Sequence, residues 1–197
     1  MKKLESTFFN MILSLTLVTL IAGVSLAYMN ELTKGPKAET RKQKQIKAIS
    51  TVLPEITNDP FTEKKSIAIA GEKDSLFIFP GLKGDDLAGM AVSTFSTKGY
   101  NGLIRLMVGF TDRGNVYNIV VLEQKETPGL GTKMTSNSFL KQFIGKNPDN
   151  FNLKVKKDGG DVDAISGATI SSRAFGDAVK KAYETFINEK KNFEIIK

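Results

Sequence analysis

Cysteine and histidine are both absent from the 197 residues. Without cysteine there can be no disulfide, thiolate zinc site, cysteine-ligated iron–sulfur cluster or lipid-modified N-terminal cysteine. Without histidine there can be no His-ligated haem and no Ser-His-Asp or Cys-His catalytic set. Redox chemistry in this chain would have to come from an organic cofactor. The GxxxxGK[ST] phosphate loop and the nicotinamide fingerprint are missing too. There is no internal repeat and no low-complexity tract.

The charge-poor end of the chain is its beginning. No charged residue occurs from Ser6 to Asn30, and the centre of that stretch, FFNMILSLTLVTLIAGVSLAYM, has about the ~20 apolar residues that a membrane helix needs. A cleaved signal peptide would use Ser25-Leu26-Ala27, but its apolar core is usually only ~7–15 residues, so an uncleaved anchor is the better reading. Lys2 and Lys3 precede the span, whereas Lys34, Lys37, Arg41 and Lys42 follow it. Counted literally, positive-inside bias puts the body in the cytoplasm. The remaining excess of base, +7 overall, forms no stripe interleaved with aromatics. It reads as a solvated surface, and nucleic acid is not an expected partner.

The body is expected to be α+β, with a mainly antiparallel sheet packed against helices. The expected division is an anchor over 1–30, a helical linker region over 31–60 and the main domain over 61–197. Ala38–Leu53 has helical periodicity stopped by Pro54. Ser66–Ala70 and Leu76–Phe79 are strand candidates around a turn at Gly71-Glu72-Lys73-Asp74, and Pro80-Gly81 should break the chain. Leu87–Thr97, Leu103–Thr111 and Val116–Leu122 are further strands, the last two as a hairpin. Ser138–Ile144 reads as a short helix and Phe151–Lys156 as another strand. A final helix is expected from about Ser171 to Lys190, with an apolar stripe of Ala174, Phe175, Ala178, Val179, Ala182, Tyr183, Phe186 and Ile187 facing the sheet.

Two stretches stand out. Ile165-Ser166-Gly167-Ala168-Thr169-Ile170-Ser171-Ser172 places four hydroxyls at the mouth of that last helix. Ser171 or Ser172 could cap it. The same ingredients could hold a phosphate: small residues that let a ligand near the backbone, donor hydroxyls and a helix N-terminus. A hydroxyl there could become a phosphoester, but the chain offers no evident base, so a second enzyme would have to form the bond. In Glu126-Thr127-Pro128-Gly129-Leu130-Gly131, Pro128 fixes one φ while Gly129 and Gly131 permit positive values. That loop could lay backbone amides against a flat ring, or simply join a strand to the next helix.

Together these stretches resemble the FMN-binding domain found in the G subunit of the Rnf electron-transport complex and in its relative, the C subunit of the sodium-pumping NADH:quinone reductase. The resemblance rests on Gly99-Tyr100-Asn101-Gly102-Leu103-Ile104, on Val121 to Gly131 and on Lys157 to Thr169, and it covers the anchor and nearly all of the body. It implies that Thr169 carries FMN through a phosphoester, attached by a separate flavin transferase that recognises a motif beginning at Asp163. It further implies that Ser166, Gly167, Ala168 and Ile170 line the phosphate and ribityl chain, and that Glu126, Thr127, Pro128, Gly129, Leu130 and Gly131 face the flavin ring. Gln124 stands where some members have histidine. The shorter length favours the Rnf member of the pair.

On the same ground the expected function is a membrane-anchored electron relay inside an ion-translocating ferredoxin:NAD⁺ oxidoreductase, one carrier within a complex rather than a complete enzyme. Other subunits, the transferase and membrane lipid are the implied partners. The implied location is the inner (cytoplasmic) membrane with the flavin domain on the extracytoplasmic side, against the charge count. The lack of cysteine is compatible with an oxidising compartment. The rival readings are a flavin-free anchored scaffold, the equivalent component of a quinone reductase, and an anchored protein that binds polyanions through its lysines.

Overall fold

Among the described residues five strands in chain order form one antiparallel meander, β1 (Lys65–Ala68), β2 (Ser75–Lys83), β3 (Asp86–Gly99), β4 (Gly102–Thr111) and β5 (Val116–Glu123). The computed structural model describes residues 7–69, 72 and 74–196. Ala70, Gly71 and Lys73 lie outside them, and with them the end of the first expected strand and most of the turn expected at 71–74. Lys2 and Lys3 lie outside them as well. Among the described residues three α-helices complete the fold, α1 (Phe8–Val52), α2 (Asn137–Leu140) and α3 (Thr169–Ile196). Short 3₁₀ turns occupy Gly131–Thr135 and Lys156–Asp158.

The chain divides into two compact units between Gln43 and Lys44. In the first unit, the apolar run lies within α1, and its large side chains, from Phe8 and Phe9 to Tyr28 and Leu32, are exposed. The helix is long and apolar enough to cross a membrane. The expected span and the expected Ala38–Leu53 helix are one continuous element that runs through Pro36. It stops at Val52, two residues before Pro54, as the restriction on pre-proline backbone requires.

In the second unit the sheet is covered on both faces. Alternate residues of β4 (Ile104, Leu106, Val108 and Phe110) share a core with Ala174, Phe175, Ala178, Val179, Ala182 and Phe186 of α3. The opposite face packs Phe79, Ala91 and Met107 against Ala48, Ile49, Val52 and Leu53 at the C-terminal end of α1. The approach is closest at Gly109, where a Cβ would lie 1.7 Å from the Val52 carbonyl oxygen. Only glycine lets the last turn of α1 lie on β4.

Four expectations are corrected. Pro80-Gly81 does not break the chain but lies inside β2, with a bulge between Gly81 and Leu82. β1 pairs with Ser75 to Ile78 of β2 and reaches no further, so Pro80 is on an open edge where its missing N–H costs no ladder bond. Asn58 substitutes for a neighbouring strand there. Its Nδ2 donates to Pro80 O at 3.0 Å, and its Oδ1 accepts from Leu82 N at 2.8 Å.

Phe151–Lys156 is not a strand. Its only ladder contact is an isolated parallel bridge, Val155 to Val162. The alternating burial is real, with Val155 fully buried and Phe151 and Leu153 packed against the α3 core, but the backbone bonds are local: Lys156 N to Val162 O and Asp161 N to Asn152 O. The short helix expected at 138–144 reaches only from Asn137 to Leu140 before turns take over, and α3 is longer than expected at both ends.

Candidate functional site

The four hydroxyls of the 165–172 stretch have two different fates. Ser171 and Ser172 are buried, at 1% and 0% exposure, and lie inside the first turn of α3. Neither caps it. The helix begins two residues earlier than expected, so both hydroxyls lie past the capping position and bond inward. Ser172 Oγ accepts from Ile165 N at 2.9 Å and donates to Ala168 O at 3.0 Å, tying the loop to the helix. Ser171 Oγ donates to Glu126 Oε2 at 2.7 Å.

Ser166 is exposed and Thr169 half-buried, and neither hydroxyl has a partner among the described residues. Ala168 N–H closes a turn onto Ile165 O, and the helical ladder starts with Ser172 N to Ala168 O at 3.0 Å. The amides of Thr169, Ile170 and Ser171 are therefore the free donors of the helix N-terminus, beside the Thr169 hydroxyl. Gly167 has φ of +73°, and a Cβ there would meet Leu130 Cδ2 at 3.2 Å. The two motifs expected from sequence are thus brought into contact through Leu130 and Gly167.

The second motif folds tightly on itself. Gly129, at φ +76°, donates to Thr132 Oγ1 at 3.0 Å, and Leu130 N donates to Thr127 O at 3.2 Å. Those two amides are consumed within the turn. Pro128 and Leu130 are exposed, Thr127 is half-buried, and Gly131 is buried. Glu126 is only 4% exposed. Its Oε1 accepts from Asn101 N at 3.2 Å and its Oε2 from Ser171 Oγ, so both carboxylate oxygens are engaged inside the protein. Gln124 Oε1 accepts from Glu126 N at 2.7 Å, which gives the side chain at that position a structural role.

Asp163 is exposed on the rim. Its carboxylate pairs with Lys156 at 2.8 Å, and its backbone exchanges bonds with Gln142, N–H to Oε1 at 2.7 Å and O from Nε2 at 3.2 Å. The loop before it is held against α3 by Arg173, whose Nε and Nη2 donate to Asp158 at 2.6 and 2.8 Å. Hydrogen bonding by that guanidinium holds the Asp158 carboxyl below the usual carboxylate range. Beside this loop a groove of ≈ 1170 Å³ follows α3 from Ile170 past Arg173 and Asp177 to Glu184. Thr169 and the 126–131 loop are not among its walls.

Asn101, Gln142 and Arg173 are the positions that sequence reasoning missed. Asn101 belongs to a stretch noted only as part of the family resemblance, and nothing in a linear reading pairs it with Glu126. Among the described residues no cluster of acidic side chains could hold a metal ion.

Comparison with known proteins adds three findings. A family model described as FMN-binding domain matches residues 99–184. That interval contains the 99–102 turn, the 126–131 loop and the first four turns of α3. The G subunit of the ion-translocating oxidoreductase complex of Shewanella baltica (strain OS223) is 31% identical over 186 residues, covering 88% of this chain and 87% of the relative. The protein of the same name in Shewanella amazonensis (strain ATCC BAA-1098 / SB2B) is 33% identical over 174 residues, covering 82% and 80%. The crystal structure of Shewanella oneidensis NqrC matches 60% of this chain and 62% of its own, with a TM-score of 0.46 and 24% identity.

Proposed function

Because this chain belongs to the G-subunit family of ion-translocating oxidoreductase complexes, we propose that it is the membrane-anchored flavin relay of such a complex, carrying FMN as a phosphoester on Thr169. The observation that carries the attachment site is the sorting of the hydroxyls. Of the four, two are buried and bonded inward. Of the other two, only Thr169 lies on the first helical turn, whose free amides suit a phosphate.

The residues present fit the group. Amides 169–171 would hold the phosphate oxygens, with the partial positive charge of a 28-residue helix behind them. Gly167, with no side chain, keeps the approach free of bulk, Ala168 packs into the core at 6% exposure, and Leu130 and Ile170, 42% and 46% exposed, offer apolar surface. Bound FMN supplies what no side chain here can, a carrier that takes up and passes on electrons. The protein's part is to hold it in place. An ester bond does this permanently, which suits a domain outside the cytoplasm where lost cofactor is not readily replaced.

Since no base lies beside Thr169 among the described hydrogen bonds, a flavin transferase is the agent of attachment. Exposed Asp163, Ser166 and Gly167 leave the recognition segment accessible to it. The apolar, exposed first part of α1 supports a membrane position. The placement of the domain on the extracytoplasmic side rests on the resemblance and runs against the lysines and arginine that follow the span. The quinone-reductase alternative is the weaker one, because curated relatives over more than four-fifths of the chain carry the G-subunit name.

The test is intact mass after denaturation, on protein co-produced with its transferase, followed by peptide mapping. An increment of one FMN less one water on the Thr169 peptide is the expected result. An unmodified chain, with the transferase active on a control substrate, would refute the relay and leave the flavin-free scaffold.

A further inference from the structure

A carboxylate at 4% exposure with no basic partner needs an explanation, because removing a charge from water is costly unless its lone pairs are satisfied. Among the described residues Glu126 pairs with no lysine or arginine. It is held by two neutral donors, Asn101 N–H and Ser171 Oγ. The space around it is shaped by glycine. A Cβ at Gly99 would lie 2.7 Å from Oε1, and one at Gly131 would lie 2.8 Å from both Oε2 and Ser171 Oγ. A second tie runs from Asn101 Nδ2 to Lys125 O at 2.9 Å. Three segments distant in sequence, the β3–β4 turn, the 126–131 loop and the first turn of α3, therefore meet on one carboxyl group.

We propose that Glu126 and Ser171 are a positioning pair: their hydrogen bond fixes the first turn of α3, and with it the Thr169 hydroxyl and the amides beside it, against the 126–131 loop. The proposal rests on the reading that Thr169 is the attachment site. It assigns Glu126 a different task from facing the ring, since both carboxylate oxygens are engaged inward. Ser171 is two residues from Thr169 on a rigid helix, so a shift at Ser171 moves the acceptor oxygen with it.

The experiment uses the full chain in detergent, flavin-free, with wild type, Glu126→Ala, Ser171→Ala, the double variant and Glu126→Gln. Hydrogen exchange of amides 172–175, the first bonded ones of α3, is read first, then the rate of covalent FMN incorporation by the transferase, with thermal melting to confirm folding. Glu126→Ala and Ser171→Ala should each speed first-turn exchange and slow incorporation by roughly tenfold or more. The double variant should be no worse than the worse single, because both remove one bond.

Glu126→Gln is the rescue. Its amide oxygen accepts from Asn101 N–H and its amide nitrogen donates to Ser171 Oγ, so exchange and incorporation should return close to wild type. Glu126→Gln behaving like Glu126→Ala would overturn the proposal in favour of a need for charge. Wild-type exchange in Ser171→Ala would overturn it outright, and that variant removes a single oxygen, so loss of folding does not obscure it. If the wild-type chain takes up no flavin, the relay reading has failed, while the exchange data still decide the positioning pair.

Discussion

Replacing Gly176 by alanine sets two effects of known size against each other. Gly176 is inside α3, where alanine is favoured over glycine by about 0.8–1.0 kcal/mol. A Cβ at that position, however, would lie 2.4 Å from the Leu153 carbonyl oxygen and 3.5 Å from its carbon. The obstacle is backbone, not the end of a flexible side chain, and it must retreat by nearly 1 Å. Overpacking of this kind costs about 1–3 kcal/mol. The segment cannot retreat freely either, because a Cβ on Gly160 would already meet Lys154 O at 1.9 Å and Asn152 is bonded to Asp161 and Gly159. The collision therefore outweighs the helix preference, with a net loss of up to about 2 kcal/mol. For a domain of this size the melting temperature should fall by up to about 8 °C. Differential scanning calorimetry on the flavin-free chain reads the fall, and hydrogen exchange over 151–161 should loosen with it. A rise in melting temperature would show that the 151–155 segment yields without cost and does not brace α3.

Ser172→Ala leaves the buried Ile165 N–H without its acceptor, at a cost of about 1–3 kcal/mol measurable by denaturant titration; unchanged stability would mean that water replaces the hydroxyl. Thr169→Val should melt like wild type yet retain no FMN after denaturation, whereas retained covalent flavin would move the attachment elsewhere. Burial pushes the Asp177 carboxyl up, but hydrogen bonds from Lys98 and Ser96, with the charges of Lys98 and Lys181, outweigh it and hold the group below the usual carboxylate range. A depressed folded value stabilises the fold above the unfolded pKa and is lost as pH falls through the folded one, so Asp177→Asn should be less stable near neutrality and flatter below about pH 4. Stability-versus-pH curves that run parallel for the two proteins would refute this.

The strands were legible where a run of β-forming residues ended in a turn signal and met a partner in the next hairpin, as in β3, β4 and β5, although with both faces of the sheet covered the burial of β3 is continuous and not alternating. They were misread where period-two burial met a helix. Phe151, Leu153 and Val155 alternate like a strand because they line one side of a segment lying on α3, and no linear pattern says which element does the burying. Pro80 was misread for the complementary reason. A proline ends a strand only if both edges are paired, and whether an edge is open depends on how far β1 reaches. Pro36 shows the same limit in a helix, since α1 continues through it.

The site was legible as two motifs but not as one structure. Composition marked the hydroxyls of 165–172 and the glycines of 126–131, and motif order tied them to a flavin family. What composition could not reveal is that four similar hydroxyls divide their work. The division follows from where α3 begins. With the first helical residue at Thr169, Ser171 and Ser172 fall past the capping position and turn into the core, toward Glu126 and Ile165, while Thr169 keeps an unpartnered hydroxyl beside three free amides. A helix starting at Ser171 would have spent its hydroxyls on its own cap and left Thr169 in a loop without the amides. The two-residue difference in the helix start, smaller than any periodicity argument can resolve, separates a capping motif from a phosphate seat.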